Sequence, residues 1–317
     1  MQRFKNILVI YDRKLGDEAA LERAAALALK NDAALTVVEA IESLPSDAVA
    51  LFGPLALDER ELQRRFTEER QAHLERLVAS IRQEGVTASA SVLVGRPFLE
   101  VIRAVLRERY DLVVMTAEVW RGLRQITFGS TSMHLMRKCP CPVWVMQPRA
   151  GRRFRRILAA VDPDVTGDGP SPLDLKILQL ASSLARMEQC HLDILHAWDF
   201  KGADLDTSRS EITDQIKRQL VQRNEAAHRT GVQRLLEQID LEGLDFELHL
   251  PKGDPIIAIP RFARDKQVDL IVMGTVGRSG IAGFFIGDTA EVVLRQVECS
   301  ILAVKPEGFV TPVVPEA

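Results

Sequence analysis

The sequence predicts an α/β fold made of two tandem, doubly wound parallel-sheet domains, and three observations carry that prediction. Short apolar runs alternate with longer helical patterns, the signature of parallel strands joined by crossover helices. The second half repeats the first in order. From Gly253-Asp254-Pro255, which answers Gly95-Arg96-Pro97, to Lys305-Pro306, which answers Gln147-Pro148, the two copies run without a gap. At 317 residues the chain is long for one core, and about 150 residues per domain suggests two.

In the first half, Asn6 to Ile10 is an apolar strand ending at Tyr11-Asp12. The alanine- and leucine-rich stretch Ala19 to Leu29 has helical periodicity, and Leu35 to Ala40 is a second strand, which completes a βαβ unit. After a Pro/Ser/Gly-containing loop, Ser43 to Pro54, a long helical pattern puts Leu62, Phe66, Leu74, Leu77, Val78 and Ile81 on one face, as expected of a helix covering a sheet. Ala88 to Val94 alternates as a third strand. Pro97 opens the next helix at a first-turn position, where its missing N–H costs nothing, and Phe98, Val101, Ile102, Val105 and Leu106 form that helix's buried stripe. Asp111 to Met115 and Pro142 to Met146 are the fourth and fifth strands.

The second half answers piece by piece. Phe154 to Leu158 matches Phe4 to Leu8, Val161-Asp162 matches Tyr11-Asp12, and Leu192 to Ala197 matches Leu35 to Ala40. One conflict stands out: Pro260 lies several residues into the helix opened by Pro255, where it is expected to kink or shorten it. Residues 1–149 and 150–306 are therefore read as two copies of one domain, followed by a flexible tail, 307–317. The loops Asp164 to Pro172 and Lys201 to Ser210 are polar. Arg149, Arg152, Arg153, Arg155 and Arg156 form a basic run, read as a solvated linker because no aromatic residues interleave with it to stack on bases.

Composition narrows the function classes. With 46% apolar and 27% charged residues the chain can bury real cores, and a formal net charge of −3 draws it to neither nucleic acid nor anionic lipid. Met1 to Lys5 runs straight into a strand and no apolar run reaches the ~20 residues of a membrane span, so a cytoplasmic protein is expected. Four scattered cysteines, Cys139, Cys141, Cys190 and Cys299, fit a reducing compartment. Cys139-Pro-Cys141 lacks a second pair at ligand spacing and reads as packed thiols rather than a metal site.

The stretch with chemical content is Met273 to Thr289. It follows the apolar run Val268 to Val272 and precedes Ala290 to Arg295, which is helical in pattern. Strand, glycine loop and helix start form a phosphate-cradle order: Gly274, Gly277 and Gly287 remove Cβ where the backbone turns with positive φ or lets a ligand approach, and amides at a helix start favour an anion. The spacing is neither the Walker loop nor the dinucleotide fingerprint.

With its Asp after the first strand, its Gly-x-Pro before a helix and its Gly-x2-Gly-x9-Gly spacing at Gly274, Gly277 and Gly287, each element in tandem register, the chain resembles universal stress proteins of the tandem E-type bacterial subfamily. The resemblance implies a five-stranded parallel sheet per domain, the adenine nucleotide alpha hydrolase-like fold, a cytoplasmic stress-response role and nucleotide binding in some members. It also implies pairing through last strands, here a pseudo-dimer of the halves through Val143 to Met146 and Ile301 to Val304, or a homodimer of chains. By the same resemblance Asp162 takes the adenosine-contacting acid's place, Ala197 the second-strand backbone contact to the base, and Met273, Gly274, Gly277 and Gly287 the loop contacts, with ATP and Mg²⁺ as the expected ligand and ion.

Asp288 departs from the family's small hydroxyl residue. A carboxylate about 4 Å from a phosphate charge costs about 1 kcal/mol in water and about 4 kcal/mol at an effective dielectric of 20. Asp288 either caps the helix, occupying the amides a phosphate would use, or holds Mg²⁺ against the phosphates with Thr289. In the first half Gly129-Ser130-Thr131 keeps the closing hydroxyls, but Thr116 and Val119 replace two glycines and Trp120, Arg121 and Arg124 add bulk, so that half is expected to be nucleotide-free. The alternative is a nucleotide-free interaction or carrier module with an apolar or lipid-like ligand in the crevice.

No nucleophile motif and no paired carboxylates call for catalysis, so the expectation is a protein that is not an enzyme, with slow, incidental ATP hydrolysis at most. His191 and Asp193 share a strand face while His196 lies on the other, and His249 sits in a comparable third strand; core or edge histidines are the simpler reading and a metal site the other.

Overall fold

The computed structural model describes residues 4–13, 18–43, 59–117, 128–148, 153–164, 169–199, 214–276 and 287–314. They separate into two compact units, one beginning at the N-terminus and running to Arg152, the other beginning at Arg153.

In the first unit β1 (Asn6–Ile10), β2 (Ala34–Ile41), β3 (Ala88–Val94), β4 (Leu112–Thr116) and β5 (Val143–Met146) alternate with α1 (Glu18–Asn31), α2 (Glu59–Gln83), α3 (Pro97–Glu108) and α4 (Ser130–Lys138). All pairings are parallel: β1 lies between β2 and β4, β3 flanks β2, and β5 flanks β4. The second unit repeats this with β6 (Arg156–Ala160), β7 (His191–Leu195), β8 (Phe246–His249), β9 (Leu270–Gly274) and β10 (Ser300–Val304). Its helices are α5 (Pro172–Glu188), α6 (Asp214–Leu236), α7 (Pro255–Asp265) and α8 (Asp288–Gln296). There β6 lies between β7 and β9, with β8 and β10 outside them, again all parallel. Each unit thus has the five-stranded, doubly wound sheet expected.

The central strands show why the apolar runs are continuous rather than alternating. All five residues of β4 and four consecutive residues of β1 are buried, so both faces of the sheet are covered. Full burial of a Val or Leu contributes about 1.5–3 kcal/mol, so such a strand is a main source of each unit's stability.

Two local devices recur in both copies. Gly95 and Gly253 have φ of 142° and 141°, a region closed to side-chain-bearing residues, and each turns the chain into a helix with proline in its first turn. At the opposite edge of the sheet an aspartate ties the first strand to the fourth. Asp111 accepts the Lys5 and Asn6 amides at 2.6 and 3.2 Å, and Asp269 accepts those of Arg155 and Arg156 at 2.7 and 3.0 Å.

The structure bears on three expectations. Helix α7 passes through Pro260 and ends at Asp265, eleven residues long against twelve in its counterpart α3, so the proline removes one ladder bond without ending the helix. Arg156 belongs to β6 rather than to a solvated linker, and its guanidinium binds Asp193. Residues 309–314, read as flexible tail, group with the first unit, and Val313 is buried beside a turn in which Thr311 Oγ1 accepts the Val313 amide at 3.2 Å. The polar loop Lys201 to Ser210 lies outside the described residues.

Candidate functional site

The site at the second unit's mouth follows from strand register. Ala160 of β6 stands opposite Met273 of β9, while β7, which follows β6 in the chain, pairs on its other side. Chain direction through the sheet reverses between β6 and β9, and a crevice opens beyond the carboxyl ends of strands at such a point.

Asp162 stands two residues past β6. Its amide donates to Oδ1 of Asp174, a buried residue in the first turn of α5, at 2.9 Å, which leaves its own carboxylate 71% exposed. Beyond β7, the amides of His196 and Trp198 donate to the His249 and Pro251 carbonyls on the β8 side. Strand alternation therefore turns the backbone groups of Ala197, between them, toward β6 and Asp162. Met273 is buried and Gly274 ends β9 beside them. Asp162, Ala197, Met273 and Gly274 are thus brought to one edge of one sheet.

Two of the three glycines have parts in packing and capping. A Cβ at Gly274 would meet Leu173 Cδ2 at 2.9 Å, and the residue is not among those with positive φ, so its missing side chain makes room for α5. Gly287 has φ −62° and ψ 141°, ordinary extended backbone, and its amide donates to the Thr275 carbonyl at 2.9 Å. Gly287, not Asp288, is the N-cap of α8, which corrects the capping reading. Asp288 is the first helical residue, where a negative charge suits the helix dipole, and the half-buried Thr289 follows it. Gly277 and the side chain of Asp288 lie outside the described residues, as do Val119, Trp120, Arg121 and Arg124 of the first half.

Sequence reasoning missed two buried polar features. Lys305, 1% exposed just past β10, donates to Oγ1 of the buried Thr275 at 2.6 Å, one residue beyond Gly274. The signal was a lysine closing an apolar strand, where the first copy has Gln147. The second feature is a pair linking the end of the second strand to the long helix in each copy. In the first unit Arg70 of α2 donates to Glu39 at 2.6 Å, and in the second His196 meets His228 of α6 at 2.7 Å. The His196 Nδ1–H donates to the Val161 carbonyl at 3.1 Å, so its Nε2 accepts from Nδ1–H of His228, whose ring also stacks with Trp198. Glu39 and His196 are equivalent positions, one residue before Ala40 and Ala197.

A cavity of about 400 Å³ lies at the first unit's mouth, bounded by Asp12, Arg13, Glu39, Arg70, Thr116 and Thr131. Among the described residues Glu39 Oε2, buried there, has no hydrogen-bond partner. Cys139 and Cys141 are buried with their sulfurs 3.5 Å apart. Among the described residues no helix is long and apolar enough to cross a membrane.

Comparison with known proteins agrees with this architecture. Universal stress protein E of Escherichia coli is 27% identical over 316 residues, spanning 99% of this chain and 98% of the relative. The Universal stress protein E homolog of Haemophilus influenzae is 25% identical over 96% of this chain and 98% of its own. A solved structure of a functionally unknown protein from Pseudomonas aeruginosa superposes with a TM-score of 0.73 at 24% identity, covering 97% of this chain and 95% of that one. One of a universal stress protein from Archaeoglobus fulgidus gives 0.62 at 19% identity, covering 95% and 98%. The profile of the Universal stress protein family matches residues 3–147 and again residues 153–305, and with both halves so matched the chain belongs to that family.

Proposed function

We propose that this chain is a cytoplasmic stress-response protein whose second unit binds ATP or a related adenine nucleotide as a regulatory ligand, not as a substrate for turnover. The observation that carries the reading is the convergence of the exposed Asp162 carboxylate, the Ala197 backbone and the end of β9 at the sheet's reversal point. The residues fit a nucleotide at three places. An exposed carboxylate suits ribose hydroxyls, an inward-facing strand backbone suits a base edge, and the N-cap of α8 is Gly287, which has no side chain to occupy the first amides, an arrangement that suits phosphate. Asp288 and Thr289 at that helix start are the residues that would hold Mg²⁺ with the phosphates.

Equilibrium binding of labelled ATP, with and without Mg²⁺, to wild type, Gly277→Val and Asp288→Ser tests this. Gly277→Val is expected to abolish binding. Asp288→Ser is expected to strengthen Mg²⁺-free binding by up to about 1000-fold, the equivalent of about 4 kcal/mol of relieved repulsion. Unchanged affinity in Gly277→Val refutes the cradle.

A second reading rests on the first unit's cavity. Its buried, unpartnered Glu39 Oε2 and the Arg70 beside it favour a small polar ligand that donates hydrogen bonds over a lipid-like one. A ligand that stabilises the wild type but not Glu39→Gln against heat would support it.

A further inference from the structure

On the second unit's sheet, away from the mouth residues, four side chains converge from two adjacent strands. Asp193 of β7 stands opposite Glu247 of β8, and Leu195 opposite His249. Alternation therefore puts His191, Asp193, Glu247 and His249 on the same face. We propose that these four residues form a site for one divalent transition-metal ion of the zinc type.

The geometry is that of a ligand set. His191 Nε2 lies 3.3 Å from Asp193 Oδ1, His249 Nε2 lies 2.8 Å from the same oxygen, and His249 Nε2 lies 3.6 Å from Glu247 Oε2. Donor atoms of His191, Asp193 and Glu247 all fall within 4.8 Å of one another. A tetrahedral ion with bonds of about 2.0–2.1 Å has ligands about 3.4 Å apart, so the 3.3 and 3.6 Å pairs stand near that spacing, while the 2.8 Å pair, a hydrogen bond without the ion, would part by about 0.6 Å and the wider pairs would close in. Two imidazoles with two carboxylates select zinc, cobalt or nickel over magnesium or calcium, which prefer oxygen alone.

The supporting contacts are those a metal ligand requires. His191 Nδ1 is 2.8 Å from Asp245 Oδ2, the carboxylate contact that fixes the ring with its proton on Nδ1. With that proton on Nδ1 the neutral ring offers Nε2 as an acceptor, buried, without a hydrogen-bond partner among the described residues, and facing the Asp193 oxygen. Two bare acceptors at that distance repel, and a metal ion between them removes the repulsion, as a proton on Nε2 also would. Asp193 itself is fully buried, and Arg156 Nη1 donates to both of its oxygens, to Oδ2 at 2.9 Å and to Oδ1 at 3.1 Å, so Oδ1 is shared between the guanidinium and the histidines. Among the described residues the carboxylates of Asp193, Asp245 and Glu247 each contact at least one of the two histidines and Arg156 is the guanidinium bonded to Asp193, a balance that a dication suits.

The first unit supplies the control. At the positions of Asp193 and Glu247 it carries Thr36 and Ser89, which share a neutral hydrogen bond of 3.1 Å, and at that of His191 it carries Ala34. The ligand set belongs to one copy only, so one ion per chain is expected.

The test uses full-length protein stripped with a chelator and titrated separately with Zn²⁺, by calorimetry, and with Co²⁺, by visible absorption. One equivalent with the intense bands of tetrahedral Co²⁺ is expected. His191→Ala and His249→Ala, each checked for native folding by circular dichroism, are expected to weaken Zn²⁺ at least tenfold. Asp245→Asn, which keeps every ligand, is expected to weaken it by about 10–100-fold. His228→Ala, at the neighbouring histidine pair, is expected to bind as wild type. Absence of Co²⁺ bands, octahedral bands, binding indifferent to both His191→Ala and His249→Ala, or loss of binding in His228→Ala instead would each overturn the assignment.

Discussion

Gly274 separates two accounts of the glycine loop, because the same missing Cβ has been read as room for a phosphate and is seen as room for a leucine. A methyl group added there would sit 2.9 Å from Leu173 Cδ2 and 3.5 Å from its Cγ, with Ile177 Cδ1 at 3.7 Å. The offended atom is the tip of a half-buried, rotatable side chain, so Gly274→Ala is expected to cost about 1 kcal/mol, the low end for overpacking. Leu173→Ala alone removes half-buried apolar surface and is expected to cost about 1–2 kcal/mol. Together they relieve the clash, so the double variant should be more stable than the sum of the singles by about 1 kcal/mol. Urea unfolding followed by Trp198, buried in the second unit, reads this in a Trp120→Phe/Trp144→Phe background, where the remaining indole reports that unit alone. Additive costs within about 0.5 kcal/mol would refute the packing account. Loss of ATP affinity in Gly274→Ala that Leu173→Ala does not restore would return the residue to the phosphate.

Two further predictions concern titration. His134 stacks on Phe98 at 4.2 Å with Nδ1 buried and without a partner among the described residues; burial, then Lys138 and Arg137, hold its pKa below the ordinary 6.5. The folded state thus binds this proton less readily than the unfolded one, so its contribution is intact above pH 6.5 and is lost as pH falls from there toward the depressed value. Urea midpoints of the first unit at pH 7 and 5.5 should differ less in His134→Gln than in wild type, and an unchanged difference would count against the burial argument. Burial pushes the Cys299 thiol up to about 12, and its contact with Cys139 followed by burial raises Cys141 well above the usual thiol range. At pH 8 about one Cys299 in 10⁴ is thiolate, so iodoacetamide should label half-buried Cys190 first; early labelling of Cys299 by mass spectrometry would contradict this.

What was legible in the sequence followed from periodicity. Strands such as Ala88–Val94 and helices opening at Pro97 and Pro255 stand where alternation and first-turn prolines put them, because those signals are local. The tandem register was legible for the same reason. What was not legible depends on partners distant in the chain. Arg156 looks like part of a basic run until β7 brings Asp193 against it, 37 residues away. Gly274 looks like a turn residue until Leu173, about a hundred residues earlier, fills its vacated volume. Lys305 and the His196 to His228 link are likewise long-range pairings of buried polar groups, which no local pattern announces. In the candidate site, Asp162 and Ala197 were legible because a strand's end is a local property. The cap of α8 was not, since Gly287 takes the position at which an aspartate is the better former.

The aspartate staples at the far edge carry a consequence for how the two copies diverged. Asp111 and Asp269 secure the same pair of amides at the base of each sheet, so the base tolerates little drift while the rim is released from that duty. The two copies differ at that rim, a glutamate with an arginine in one and two histidines in the other. A single polypeptide built this way carries two differently furnished rims on one inherited frame, in fixed one-to-one proportion.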